Sequence, residues 1–179
     1  MSSLEGTKTK ANLECAYMGK SEMRCRYAYY AAQATKEGYE QIASLFQRAS
    51  DYDKEHARVW FKLLNDGIGN TKEHIKQAMH TEKQLWAEQY LRYAEQAKEE
   101  GFDQIAALFE GMAEISKTQE CRFARVEQAM ESQSVFSGQE AVHWLCRNCG
   151  YVQAAPEAPM QCPICAQPQA YFQRMTEDS

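Results

Sequence analysis

All four prolines of the chain, Pro156, Pro159, Pro163 and Pro168, lie after residue 150, and the first 134 residues contain none. A proline inside a helix removes a hydrogen bond and clashes with the preceding turn. The proline-free stretch is therefore open to long helices, whereas the end of the chain is not. Apolar periodicity and breaker residues predict helices at roughly 8–36, 40–65, 72–99 and 103–133. Gly38 and Gly101 stand where C-terminal caps belong, and Asn65-Asp66-Gly67-Ile68-Gly69-Asn70 is the third break. Ser132 to Gly138 reads as a linker into a Cys- and Pro-rich module over 143–176.

The helical part repeats itself. Glu37-Gly38-Tyr39-Glu40-Gln41-Ile42-Ala43-Ser44-Leu45-Phe46 matches Glu100-Gly101-Phe102-Asp103-Gln104-Ile105-Ala106-Ala107-Leu108-Phe109. Two copies of one helical hairpin make a four-helix bundle, too few for a solenoid. The connection after residue 65 is short, and a crossover there stays open.

Each helix carries an apolar stripe at alternating three- and four-residue spacing. In the second helix it runs Ile42, Leu45, Ala49, Tyr52, His56, Val59, Leu63; in the fourth, Ile105, Leu108, Met112, Ile115, Gln119, Arg122, Val126. One polar residue interrupts the middle of every stripe: Lys20, His56, Glu82 and Gln119. Each stands about 27 Å from its hairpin turn at the α-helical rise, so four helices are expected to aim polar groups at one level of the core. Asp53 precedes His56 by one turn on the same face, and Ser116 holds the equivalent place before Gln119. Two plainer readings stand beside this one: partial solvation of these residues, or a helical phase one residue away. A ligand-rich version of the constellation, carboxylates on two helices and Glu-x-x-His on the other two, binds two metals.

Seven cysteines are present, and four crowd into Cys146–Cys165. Cys146-Arg147-Asn148-Cys149 and Cys162-Pro163-Ile164-Cys165 form two C-x-x-C knuckles, the ligand set of a tetrahedral zinc or a single iron. Spacing does not choose between the two metals. Cys15, Cys25 and Cys121 lack ligand spacing and read as ordinary thiols, as His74, His80 and His143 read as ordinary histidines. Tyr27 and Tyr90 occupy matching places in the repeat and are expected to pack near the polar level. Twenty basic against 25 acidic residues leave a charge of −5, with no basic excess to neutralise nucleic-acid phosphates. No run of ~18 apolar residues is present to cross a membrane. Met1 to Gly6 has no apolar core of a signal peptide, and with reduced cysteines this leads us to expect the cytoplasm.

Over nearly its whole length the chain resembles the rubrerythrin family. The resemblance rests on Leu4-Glu5-Gly6-Thr7-Lys8-Thr9 with Asn12-Leu13, Ala16-Tyr17-Met18-Gly19-Lys20-Ser21 with Arg24-Cys25-Arg26-Tyr27, Glu55-His56-Ala57-Arg58, and Glu88-Gln89-Tyr90. At the other end it rests on Trp144, Cys-Gly-Tyr at 149–151, Cys-Pro-x-Cys at 162–165, and Tyr171-Phe172. It implies a mainly α protein: a ferritin-like four-helix bundle over 1–138, then a small rubredoxin-like β-ribbon metal module over 139–179. It also implies one iron bound by Cys146, Cys149, Cys162 and Cys165, with zinc as the alternative occupant of an isolated protein.

The family's bundle holds a di-iron centre, and the departures from the family pattern fall on its ligands. Lys20 and Leu85 stand where the resemblance implies glutamates. Asp53 with His56 keeps the second helix's chemistry at shorter reach, and Glu82 is retained. Ser116 and Gln119 replace the last Glu-x-x-His. A lysine there repels a metal and is expected to pair with Asp53 and Glu82, so no intact di-iron centre is expected.

Three functions follow. The first is one-electron transfer through the four-cysteine iron. The second is peroxide reduction of the rubrerythrin type at an atypical or partial metal site. The third is a non-enzymatic, zinc-bound scaffold or regulator. The resemblance further implies a homodimer and a small reductase or rubredoxin as electron donor.

Overall fold

The computed structural model describes residues 3–175, so the outermost residues of the two expected domains, 1–2 and 176–179, lie outside it. The described residues fall into two compact units that divide after Asn70.

The first unit is a helical hairpin, α1 (Lys8–Lys36) and α2 (Glu40–Leu64). Thr7 starts α1 by accepting the Lys10 N–H on its hydroxyl at 3.1 Å, which satisfies one of the free donors of a helix N-terminus. Gly38 ends the helix at φ 83°, a conformation that side-chain-bearing residues resist. There the Tyr39 N–H reaches back to Ala34 O at 2.8 Å and Gly38 N–H to Thr35 O at 3.0 Å.

The second unit begins with α3 (Thr71–Gln84), a π-helical turn (Leu85–Gln89), α4 (Tyr90–Glu99) and α5 (Asp103–Glu131). Its turn copies the first: Gly101 at φ 82°, Phe102 N–H to Ala97 O at 2.7 Å, Gly101 N–H to Lys98 O at 3.0 Å. The aromatic packing is copied as well. Tyr27 and Tyr30 pack on Phe46 at ring-centroid distances of 6.1 and 5.5 Å; Tyr90 and Tyr93 pack on Phe109 at 6.2 and 5.4 Å.

The π turn corrects the single helix expected over 72–99. Ile75 and Ala94 are both buried on the rods that pack along α5, yet on an unbroken α-helix they would stand about 100° out of phase. One wider turn takes up that difference.

The seams correct the stripes expected on α2 and α5. Inside the first hairpin the buried residues are small: Ala31, Ala34, Ala43, Ser50, Asp53 and Ala57. Inside the second, apart from Ile75 on α3, they are Ala94, Ala97, Ala106, Ala113 and Ser116, at a constant offset. Small residues let two helices approach closely. The large residues of the expected stripes lie one position away and face solvent, Leu45 at 58% exposure and Leu108 at 67%.

The chain ends in a three-stranded antiparallel sheet of order β2-β1-β3, with β1 (Ser137–Cys146), β2 (Val152–Glu157) and β3 (Phe172–Arg174). The expected linker is partly structured. The Arg174 guanidinium donates to the carbonyls of Ser134 and Ser137, and Ala158 N–H donates to Phe136 O at 2.8 Å. Trp144 and Cys146 are fully buried, with Ala158, Cys162 and Phe172 around them. The Trp144 indole N–H donates to Ala155 O at 3.0 Å.

Candidate metal centre

Two sharp backbone turns present the four cysteines. In the first, Gly150 N–H donates to Cys146 O at 2.9 Å, and Gly150 takes φ 78°. In the second, Ala166 N–H donates to Cys162 O at 2.9 Å, and Ala166 takes φ 58°. The left-handed residue after each knuckle turns the chain so that the next backbone N–H faces sulfur: Tyr151 toward Cys149, Gln167 toward Cys165. β1 delivers Cys146, and its pairing with Phe172 of β3 anchors that edge.

The four Sγ atoms lie within 4.8 Å of one another. Cys146 and Cys165 are 3.7 Å apart at sulfur, Cys149 and Cys162 3.6 Å. A metal–sulfur bond of about 2.3 Å gives a tetrahedron with edges of about 3.8 Å, so the residues present fit a tetrathiolate ion. Crowded thiols without such an ion titrate apart. Backbone N–H donation from Gln167, then the Asn148 side chain, pulls the Cys165 thiol down to about 6. Cys149 receives the Tyr151 N–H, but desolvation and the neighbouring sulfurs outweigh it and push its thiol up to about 12. Among the described residues, this is the one group of three or more His, Cys, Asp or Glu side chains at ligating distance.

The polar positions of the helices behave differently. In the first hairpin Lys20 Nζ donates to Asp53 Oδ1 at 2.7 Å, and His56 Nδ1 lies 3.2 Å from the same oxygen. Asp53 is 4% exposed and its Oδ2 is buried without a hydrogen-bond partner. Burial pushes the Asp53 carboxyl up, but Lys20 and His56 outweigh it and hold the group below the ordinary carboxylate range. Lys20 is half-buried and His56 is exposed, so the inward residue is Asp53 and not His56. In the second hairpin the buried residue is likewise Ser116, with Gln119 half-buried. No hydrogen bond joins Glu82, Ser116 and Gln119 to one another among the described residues. Leu85 opens the π turn and has no ligand atom. One polar contact escaped the periodicity argument: the Trp86 indole N–H donates to Glu120 Oε2 at 2.6 Å. Glu120 lies off the stripe, and only its place beside Gln119 could have marked it. Cys15, Cys25 and Cys121 are exposed single thiols.

The comparisons with known proteins agree with this geometry. The family model for the rubrerythrin rubredoxin-like domain matches residues 144–173, and the rubrerythrin model matches residues 11–89. A rubrerythrin of Porphyromonas gingivalis is 41% identical over 185 residues, covering 97% of this chain and 92% of its own. Rubrerythrin-1 of Clostridium acetobutylicum is 36% identical, covering 99% of this chain and all of its own. A rubrerythrin of Nitratidesulfovibrio vulgaris is 35% identical, covering 97% of each chain. No helix of the described residues is long and apolar enough to cross a membrane. With a matching four-cysteine cluster, the expected order of helices and sheet, and relatives alike from end to end, the chain belongs to the rubrerythrin family.

Proposed function

We propose that this protein is a one-electron redox protein whose working centre is a single iron held by Cys146, Cys149, Cys162 and Cys165. The observation that carries the reading is the tetrahedral fit of the four sulfurs, 3.6 and 3.7 Å across two of its edges. Iron bound there supplies a one-electron couple, which zinc cannot. The protein's part is to hold the ligand set fixed. The Tyr151 and Gln167 backbone N–H groups favour the charged sulfurs of Cys149 and Cys165, and buried Trp144 shares a packed cluster with Cys146 and Cys162. Cys149 is exposed, and Ile164, between the ligands of the second knuckle, is 70% exposed. That open edge suits a donor such as a small reductase or a rubredoxin. We place the protein in the cytoplasm, where thiols stay reduced.

The second half of the proposal is that the helices hold no di-iron centre of the family's kind. Lys20 brings an ammonium and Leu85 a hydrocarbon where the family pattern has glutamates, and Asp53 is already engaged by Lys20 at 2.7 Å. A resident lysine supplies the positive charge that buried carboxylates require. The test is metal content and an absorption spectrum of the full chain produced with ample iron. One iron per chain, with a reddish colour bleached by dithionite, is expected. Three irons per chain would sink the loss of the di-iron centre, and a colourless protein holding only zinc would sink the redox reading.

A further inference from the structure

The metal module does not hang on a loose tether. A linker is what the sequence over 132–138 predicts, yet α5 and the cysteine-bearing sheet belong to one compact unit. The junction between them is polar. A cleft of about 500 Å³ there is lined by Gln128 and Ser132 at the end of α5, Gln139 of β1 and Arg174 of β3.

Arg174 crosses this junction. One terminal nitrogen, Nη2, donates to Ser134 O at 3.0 Å and also to Ser137 O. The two carbonyls bracket a turn that Ser137 N–H closes onto Ser134 O at 3.3 Å, and Ser134 N–H reaches back into α5 at Ala129 O, 2.8 Å away. The guanidinium also lies over the Trp144 ring, 5.4 Å from its centroid, within cation–π reach. Trp144 pairs with Arg174 across β1 and β3, and it is buried in one cluster with Cys146 and Cys162. A single side chain thus joins the end of α5, the start of β1 and the aromatic ring clustered with two of the ligands.

Charge explains why an arginine suits this place. The carboxyl end of a helix carries partial negative charge and gains from a nearby cation. α1, α2 and α4, which run out into loops, carry Lys36, Lys62 and Lys98 in their last turns. The last turn of α5 has no basic residue. Arg174, 40 positions beyond Ser134, brings the missing cation from the sheet. Its planar fork serves two carbonyls and a ring together, which a lysine ammonium does less well.

We propose that Arg174 is a positioning residue of the metal centre: it latches the four-cysteine module to the carboxyl end of α5, so that the centre keeps one direction relative to that helix. Electron transfer weakens steeply with distance, so a redox centre works best from a held position. The inference rests on reading the four cysteines as the working metal site.

The test compares zinc-loaded full-length wild type, Arg174→Gln, Arg174→Lys and Phe172→Leu by NMR relaxation and amide exchange. Wild type is expected to show one tumbling time for α5 and the module. Arg174→Gln is expected to bind zinc as wild type does, with the module tumbling faster than α5. Its Ser137 and Ala158 amides, which tie down the junction, are expected to exchange about tenfold faster through local opening. The Gly150 and Ala166 amides of the knuckles are expected to stay as they were. Phe172→Leu thins the buried cluster without touching the latch; it is expected to speed the knuckle amides while tumbling stays common. Common tumbling with unchanged Ser137 exchange in Arg174→Gln overturns the proposal. So does a uniform acceleration of every module amide, which would make Arg174 a support of the sheet and not a latch. If Arg174→Gln fails to hold zinc, Arg174→Lys decides. Zinc binding with intermediate coupling supports the latch, whereas wild-type coupling or lost zinc overturns it. Zinc stoichiometry of the wild type reports separately on the cysteine site.

Discussion

Lys20 and Asp53, facing each other across the first hairpin, meet at 2.7 Å through a single carboxylate oxygen, while the other oxygen of Asp53 is buried without a partner. The repeat shows how local this arrangement is. The second hairpin places neutral Ser116 at the position equivalent to Asp53, and there the seam needs no counter-ion. The ion pair thus compensates one buried acid in an otherwise small and uncharged seam.

Replacing Lys20 by methionine keeps the aliphatic stem and removes the charge. The buried Asp53 carboxylate would then retain only His56. Because the Lys20 side chain is 42% exposed, solvent screening holds the cost to about 1–2 kcal/mol. Chemical denaturation of the full chain measures it. An unchanged midpoint would show that the pair contributes nothing, and Lys20→Met with Asp53→Leu should recover most of the loss.

The same pair sets a pH dependence. Asp53 is held below the ordinary carboxylate value, so its contribution is complete above that value and is lost as the pH falls through the folded one. The window lies below about pH 4. Wild type and Asp53→Asn, compared by urea titration at several acidic pH values, should converge in stability as the pH drops. A constant difference between them down to pH 3 would contradict the assignment.

The seam predicts the opposite of a conventional core substitution. Ala106 is fully buried and Ala94 nearly so, so Ala106→Leu forces the helices of the second hairpin apart at a cost of about 1–3 kcal/mol. Ala107→Leu, one position away on an exposed part of α5, should cost almost nothing. Thermal melts of the two variants decide it, and equal melting temperatures would mean that the seam is not tightly packed.

The helix limits were legible in advance because Gly38 and Gly101 are caps with a mechanism, and because no proline interrupts the rods. The tetrathiolate was legible because its ligands sit close in sequence. The seam was not. Each helix has an apolar arc wider than one stripe, and periodicity cannot say which edge of the arc meets the nearest helix. Burial therefore fell to Asp53 and Ser116, while His56 stayed exposed. Nor does periodicity register the π turn at Leu85–Gln89, whose cause is the phase between distant residues Ile75 and Ala94. The Trp86–Glu120 hydrogen bond is not legible for a related reason: it crosses between helices at positions that no single-helix pattern couples.

The metal-free cysteine cluster should take up its ion with release of protons. Gln167 N–H and the Asn148 side chain hold Cys165 at about 6, so near neutral pH it is already ionised. Cys149, at about 12, still carries its proton there, since desolvation and the adjacent sulfurs outweigh the N–H of Tyr151. A tetrathiolate needs every ligand deprotonated, so binding at neutral pH must expel the Cys149 proton at least. Uptake should weaken as the pH falls through about 6, where Cys165 gains a proton that the metal must also displace. Zinc titration of the metal-free protein by calorimetry, in two buffers with different ionisation heats, counts the protons. At least one proton per metal at pH 7, rising toward pH 5, is the expected result; none released at either pH would overturn binding through a protonated Cys149.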